Sequence, residues 1–217
     1  MKGIFITFEG PDGAGKTTQL LRLAKELQSI GHEIVVTREP GGTAISDKIR
    51  SILLSPDNIE MVDQTEVLLY AASRAQHVHE RILPALDAGK VVLCDRFIDA
   101  SVAYQAYGLG VEAEMVRAIN QFASSGLQAT RTYLLDIPVE VSQDRLLQRA
   151  GQSAHAPLDR IELKGFEYHS RVREGFHHIA EEQPQRITVV NANRAEDEIA
   201  REILTDCKRL LEQYFAL

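Results

Sequence analysis

One octapeptide limits what this chain can fold into more than any other feature: Gly10-Pro11-Asp12-Gly13-Ala14-Gly15-Lys16-Thr17. It fits the pattern G-x-x-x-x-G-K-[ST]. Background residue frequencies give such a match by chance about 1% of the time in a chain of this length, so its flanks decide its meaning. Before it runs GIFITFE, residues 3–9, which reads as a buried strand. After it, Leu20, Leu23, Ala24, Leu27 and Ile30 recur at helical spacing, with Gly31 as the helix stop. In a strand–turn–helix setting the glycines let the backbone curl, and its N–H groups converge on phosphate oxygens. The following helix offers unpaired N–H groups and a positive dipole end. Lys16 then reaches the terminal phosphates, Thr17 is placed to ligate Mg²⁺, and Thr18 opens the helix beside them.

The rest of the chain repeats the strand–helix alternation, the pattern of a parallel sheet covered by helices. Further strands are expected at residues 33–37, 90–95, 132–136 and 186–190, making five in all. Helices are expected at 44–54, 64–83 (ended by Pro84), 97–106, 112–124, 140–149, 161–182 and 196–214. The small, polar stretch 150–157 reads as a mobile loop. We therefore expect an α/β fold: one five-stranded parallel sheet in a single domain spanning 1–217, with a small mobile lid near 145–160.

Composition excludes several classes. The chain is 44% hydrophobic and 25% charged over 217 residues, ordinary for a folded soluble protein. No apolar run approaches membrane-spanning length, and the first residues lack signal-peptide form. A net charge of −7 argues against nucleic acid as a partner. Two cysteines, Cys94 and Cys207, make no disulfide framework, and Cys94 reads as a buried thiol; the expected setting is cytoplasmic. The histidines, including His77 and His79, lack partners at metal-ligand spacing and read as helix-surface residues.

An acidic residue should close a neighbouring strand beside the glycine turn. Val91-Val92-Leu93-Cys94-Asp95 supplies it, and Asp95 becomes the second candidate for holding Mg²⁺. A guanine-binding switch protein would carry N-K-x-D, which Asn191-Ala192-Asn193-Arg194 does not match. A transporter-type ATPase would carry L-S-G-G-Q, which is absent. A kinase acting on a small phosphorylated acceptor needs several cations around the transferred group. Arg38, Arg50, Arg74, Arg96, Arg145, Arg149 and Arg160 stand at loop-facing places. Arg145 and Arg149 share a helix face at the edge of the lid. Tyr70 and Arg74, also i and i+4, can set an aromatic face beside a guanidinium, as base recognition requires; from spacing alone Tyr70 serves equally as core.

These motifs together resemble bacterial thymidylate kinases over essentially the whole chain. FEGPDGAGKTTQ, TREPGGT, the KIR segment ending at Arg50, LLYAASRAQH, VVLCDRFIDAS, AYQ and LDRIE carry the resemblance. It implies transfer of the γ-phosphoryl of ATP to dTMP with Mg²⁺, in a homodimer. It implies that Asp12 meets the sugar 3′-hydroxyl, and that Arg50 and Arg96 grip the acceptor phosphate. Glu39 and Pro40 would shape the acceptor pocket, Tyr70 would stack on thymine, and Arg74 would donate to its carbonyl. Ser101 and Gln105 would contact the base, and Tyr104 would crowd the 2′ position. Arg149, with Arg145 or Arg160 as alternatives, would be the catalytic lid arginine, and the loop at Arg194 would lie beside adenine. Three departures stand out: Tyr70 replaces a usual Phe, AYQAYGLG puts Ala106 and Leu109 where glycine and arginine are usual, and the lid carries an extended AGQSAHAP.

Overall fold

Strand β1 (Ile4–Glu9) is buried along its whole length, as an apolar run covered on both faces must be. Its side chains alternate between two cores. Ile4, Ile6 and Phe8 pack with Leu20, Leu23 and Leu27 of α1 (Lys16–Ser29) and with Ile199 and Ile203 of α9 (Glu196–Phe215). Phe5 faces the other way, into a cluster with Val78, Ile82 and Phe97. Each burial of a large aliphatic or aromatic side chain of this kind stabilises by about 1.5–3 kcal/mol. The computed structural model describes residues 3–152 and 158–215.

The other strands are β2 (Ile34–Arg38), β3 (Val91–Asp95), β4 (Arg131–Asp136) and β5 (Ile187–Asn191). All pair in parallel, in the order β2-β3-β1-β4-β5. The chain leaves β1 toward one edge and later returns to its other side. The carboxyl end of β1 therefore opens a crevice, the usual ligand position in such sheets. Remaining helices are α2 (Ala44–Leu54), α3 (Asp63–His77), α4 (Leu83–Asp87), α5 (Ile98–Ser101), α6 (Ala113–Ala123), α7 (Val139–Gln152) and α8 (Phe166–Glu182). The five-stranded parallel sheet flanked by helices is the fold expected from the sequence.

Four expectations need correction. Pro84 does not end the long helix: α3 runs through a π-helical stretch, Val78–Ile82, into α4. There the Leu83 N–H reaches back five residues to the Val78 carbonyl, and this wide turn accommodates the N–H that Pro84 lacks. The helix expected from residue 161 starts at Phe166. Asp159 Oδ1 accepts the N–H groups of Ile161 and Glu162 at 2.9 Å each, which holds a turn instead of a helix. Helix α7 continues past Arg149 to Gln152; the rest of the expected lid loop, residues 153–157, lies outside the described residues. His77 is fully buried rather than on the surface, because Thr37 and Glu39 at the end of β2 serve both ring nitrogens, at 2.6 and 2.9 Å. Cys94 and Cys207 are buried free thiols, as expected. Among the described residues no helix is long and apolar enough to cross a membrane.

Candidate active site

The glycine-rich turn leaves β1 and enters α1 at the crevice. Gly10 has φ +127°, and a Cβ there would meet the Leu135 carbonyl oxygen of β4 at 2.2 Å, so no other residue fits. Gly13 and Gly15 also take positive φ, 76° and 88°. Ser142 Oγ donates to the Asp12 carbonyl at 2.6 Å, and Arg145 donates to the Gly13 carbonyl at 3.0 Å, pinning the turn to α7. Arg145 also reaches the Ala192 carbonyl at 3.4 Å, which brings the loop holding Arg194 to the same rim. Arg194 itself bonds the Asn191 carbonyl and Glu202.

Lys16 is buried, and its Nζ donates to the carbonyls of Gly10 (3.1 Å) and Pro11 (2.7 Å). Burial, then the nearby Arg96 charge, push its pKa down to about 8. The Thr17 hydroxyl donates to Asp95 Oδ2, so the two candidate metal holders already meet. Both offer hard oxygen donors, which suits Mg²⁺. Thr18 is exposed on the first turn of α1. Among the described residues no group of three or more His, Cys, Asp or Glu side chains could hold a metal.

Next to this turn lies an open cleft. Asp12, Glu39, Pro40, Arg50, Tyr70, Arg74, Arg96, Ser101, Tyr104 and Gln105 all line it, every acceptor-side residue named from the sequence. Leu54, Phe97, Ala100, Asp159 and Ile161 line it too and were not singled out. The signal for three of them was present: Phe97 and Ala100 continue the strand-end DRF segment, and Asp159 begins DRIE.

Asp12 is the hub. It pairs with Arg96 and accepts the Tyr104 hydroxyl at 2.9 Å. Burial would raise its pKa, but Arg96, Lys16 and that hydrogen bond together hold it well below the usual carboxylate range. Arg96 also donates to the Gly10 carbonyl at 3.0 Å and lies over the Tyr104 ring at 4.9 Å. Arg50 donates to the Pro40 carbonyl at 2.9 Å, and burial, then Arg38, lower its pKa.

Arg74, only 2% exposed, spends its donors inside the protein. It bonds Glu39 (2.7 Å), Ser101 (2.9 Å), the Phe97 carbonyl (2.9 Å) and Asn120. A buried guanidinium with this many partners is fixed in place. Gln105 donates to Glu66 Oε1 at 3.0 Å, while its own Oε1 is buried with no partner. An acceptor of that kind at a cleft wall is open to an N–H of a bound molecule.

The lid arginines separate. Arg149 is half exposed and held by both carboxylate oxygens of Glu162, at 2.8 Å each. Arg160 is buried and pairs with Glu66 (2.7 Å) and the Leu53 carbonyl (2.9 Å), bracing the cleft floor. Arg145 touches the turn and Arg149 stands beyond it, on the same face of α7.

The family model for thymidylate kinase matches residues 8–203. A thymidylate kinase of Exiguobacterium sibiricum is 54% identical over 96% of this chain and 98% of its own. One of Geotalea uraniireducens is 48% identical over 90% and 92%. The solved thymidylate kinase of Ehrlichia chaffeensis superposes with a TM-score of 0.75 at 30% identity, over 95% of this chain and 99% of that one. A match that covers the glycine turn, the strand-end Asp95-Arg96 pair and the cleft alike leaves one conclusion: the chain belongs to the thymidylate kinase family.

Proposed function

We propose that this protein transfers the γ-phosphoryl group of ATP to dTMP, forming dTDP and ADP. The observation that carries this reading is the cleft beside the glycine turn, lined both by the cations Arg50, Arg74 and Arg96 and by Tyr70, Ser101 and Gln105. A nucleoside monophosphate needs both ends. No general base is needed, because the acceptor is already an anion; positioning and charge neutralisation suffice.

In this reading the residues 10–18 cradle ATP, with Lys16 on the terminal phosphates and the 191–194 loop, with Arg194, beside adenine. Arg50 and Arg96 hold the acceptor phosphate, Arg96 next to the transferred group. Asp12 meets the 3′-hydroxyl, and Tyr104 leaves no room for a 2′-hydroxyl. Glu39 and Pro40 shape the cleft, Tyr70 stacks on thymine, and Arg74, Ser101 and Gln105 set its polar edge. Thr17 and Asp95 hold Mg²⁺, whose charge neutralises the phosphates when bound. Arg149 swings from Glu162 onto the transferring group as the lid, about residues 145–160, closes on the single domain. We place the enzyme in the cytoplasm as a homodimer.

The test is ADP formation from ATP and Mg²⁺ with dTMP, dUMP, UMP, CMP and AMP offered separately. Strong preference for dTMP is the expected result. Turnover with another monophosphate overturns the base assignments and keeps the chemistry. No turnover, in folded protein that binds ATP, overturns the kinase reading.

A further inference from the structure

Arg96 sits in a conformation that non-glycine residues avoid. Its φ is +69°, in the left-handed region, which side chains with a Cβ enter only when their surroundings force it. The forcing contacts are visible. The Arg96 N–H donates to the Phe8 carbonyl at 2.9 Å, and the Cys94 thiol donates to the Arg96 carbonyl at 3.0 Å. The following residue is held harder. The Phe97 N–H donates to Glu9 Oε1 at 2.7 Å, its carbonyl accepts from Arg74, and its ring meets Phe5 edge-on at 4.9 Å.

Glu9 is the odd member of this set. It ends β1 immediately before the glycine turn, is fully buried, and among the described residues makes no hydrogen bond to a candidate phosphate-binding group. Its second oxygen, Oε2, has no partner. A fully charged carboxylate would not be left so in an interior. We infer that Glu9 is a positioning residue: its buried carboxyl, through the Phe97 N–H, locks the Arg96–Phe97 turn and so aims the Arg96 guanidinium across Asp12 into the acceptor cleft. Burial, then the neighbouring Asp99 carboxylate, push the Glu9 carboxyl up to about 8, toward the uncharged form. Arg96 and Arg74 oppose that shift without cancelling it. The inference rests on the reading of Arg96 as the grip on the acceptor phosphate.

The variants Glu9→Gln and Glu9→Leu separate the possibilities. Gln keeps a neutral carbonyl acceptor in the same place; Leu keeps the bulk and removes the acceptor. Steady-state kinetics are read for both substrates, with the exchange rate of the Phe97 amide by NMR and the melting temperature on the same samples. Glu9→Leu should lower kcat and raise the KM for dTMP, for a combined loss on the order of 10²-fold, the usual cost of misplacing a positioned group. Its KM for ATP should stay within about twofold, since the glycine turn is untouched. Glu9→Gln should restore kcat to within about threefold of the parent, as a conserved acceptor permits. Phe97 amide protection should be lost in the Leu variant and kept in the Gln variant. Wild-type kinetics in Glu9→Leu overturn the inference, and so does a Glu9→Gln variant as impaired as Glu9→Leu. The amide exchange needs no turnover, so a parent protein inactive on dTMP would sink the kinase reading while the Glu9–Phe97 lock is still judged by its own signal.

Discussion

The two halves of the site are built differently. Around the acceptor cleft the charged groups are buried and already partnered. Arg74 and Glu39 are 2% and 3% exposed at their side chains and bonded to each other, and Asp12, Arg96 and Tyr104 form a closed triangle. On the donor side Thr17 and Thr18 are exposed, Arg194 bonds Glu202 at the surface, and Arg149 is 48% exposed on Glu162. A group fixed before the substrate arrives costs no reorganisation during reaction. A half-exposed arginine has fewer protein contacts to give up than one buried among several partners. On the proposed reading, the acceptor half is set before substrate arrives, while the donor half, buried Lys16 apart, keeps its polar groups near the surface.

The comparison breaks most visibly at Arg96, which lies in the acceptor half and, on the proposed reading, grips the acceptor phosphate. Arg96→Ala should lower kcat/KM for dTMP on the order of 10³-fold or more, as loss of a phosphate-gripping arginine does; steady-state kinetics check it. Arg74→Ala should cost about 3–5 kcal/mol of stability, because it leaves the buried Glu39 carboxylate with the His77 ring alone and strips Ser101 and Asn120 of a partner. Denaturant unfolding checks this, and Arg149→Ala in the same assay should cost less, because Arg149 is 48% exposed and Glu162 keeps the Asp159 N–H.

pH sharpens the contrast next. Lys16 titrates at about 8 in the ligand-free protein. Above that pH it loses the charge that attracts the phosphates, so kcat/KM for ATP should fall by up to about tenfold per unit. At saturating ATP the bound phosphates favour the charged lysine, so kcat should hold to higher pH. A kcat/KM profile for ATP flat to pH 10 would remove Lys16 from this role. The smallest effect is expected at the Arg149–Glu162 contact: Glu162→Gln weakens the pair between half-exposed Arg149 and buried Glu162 and should change kcat by no more than about fivefold.

The sequence carried the frame of this molecule well. The alternation of apolar runs and amphipathic stretches indicates five parallel strands, and the residues named for the acceptor line one cleft. What it did not carry are the buried charges. Glu66 and Arg160 are 94 residues apart and meet only because α3 and the turn after the lid share the cleft floor. Read singly, each resembles a solvated side chain, as do Glu9 and His77. Burial of a polar residue depends on a partner from a distant segment, and local periodicity cannot report it. Pro84 failed for a related reason: a π-helical turn, fixed by packing, absorbs a residue that by local rules ends a helix.

The most direct test of a rigid acceptor half and a mobile catalytic arginine is calorimetric binding of dTMP to Arg149→Ala, alongside its kcat. Binding within about threefold of the parent, with kcat reduced on the order of 10²-fold or more, is the result expected of a group that acts mainly in the transition state. A collapse of dTMP affinity with kcat unchanged would contradict the division of the site and put Arg149 in the acceptor pocket instead.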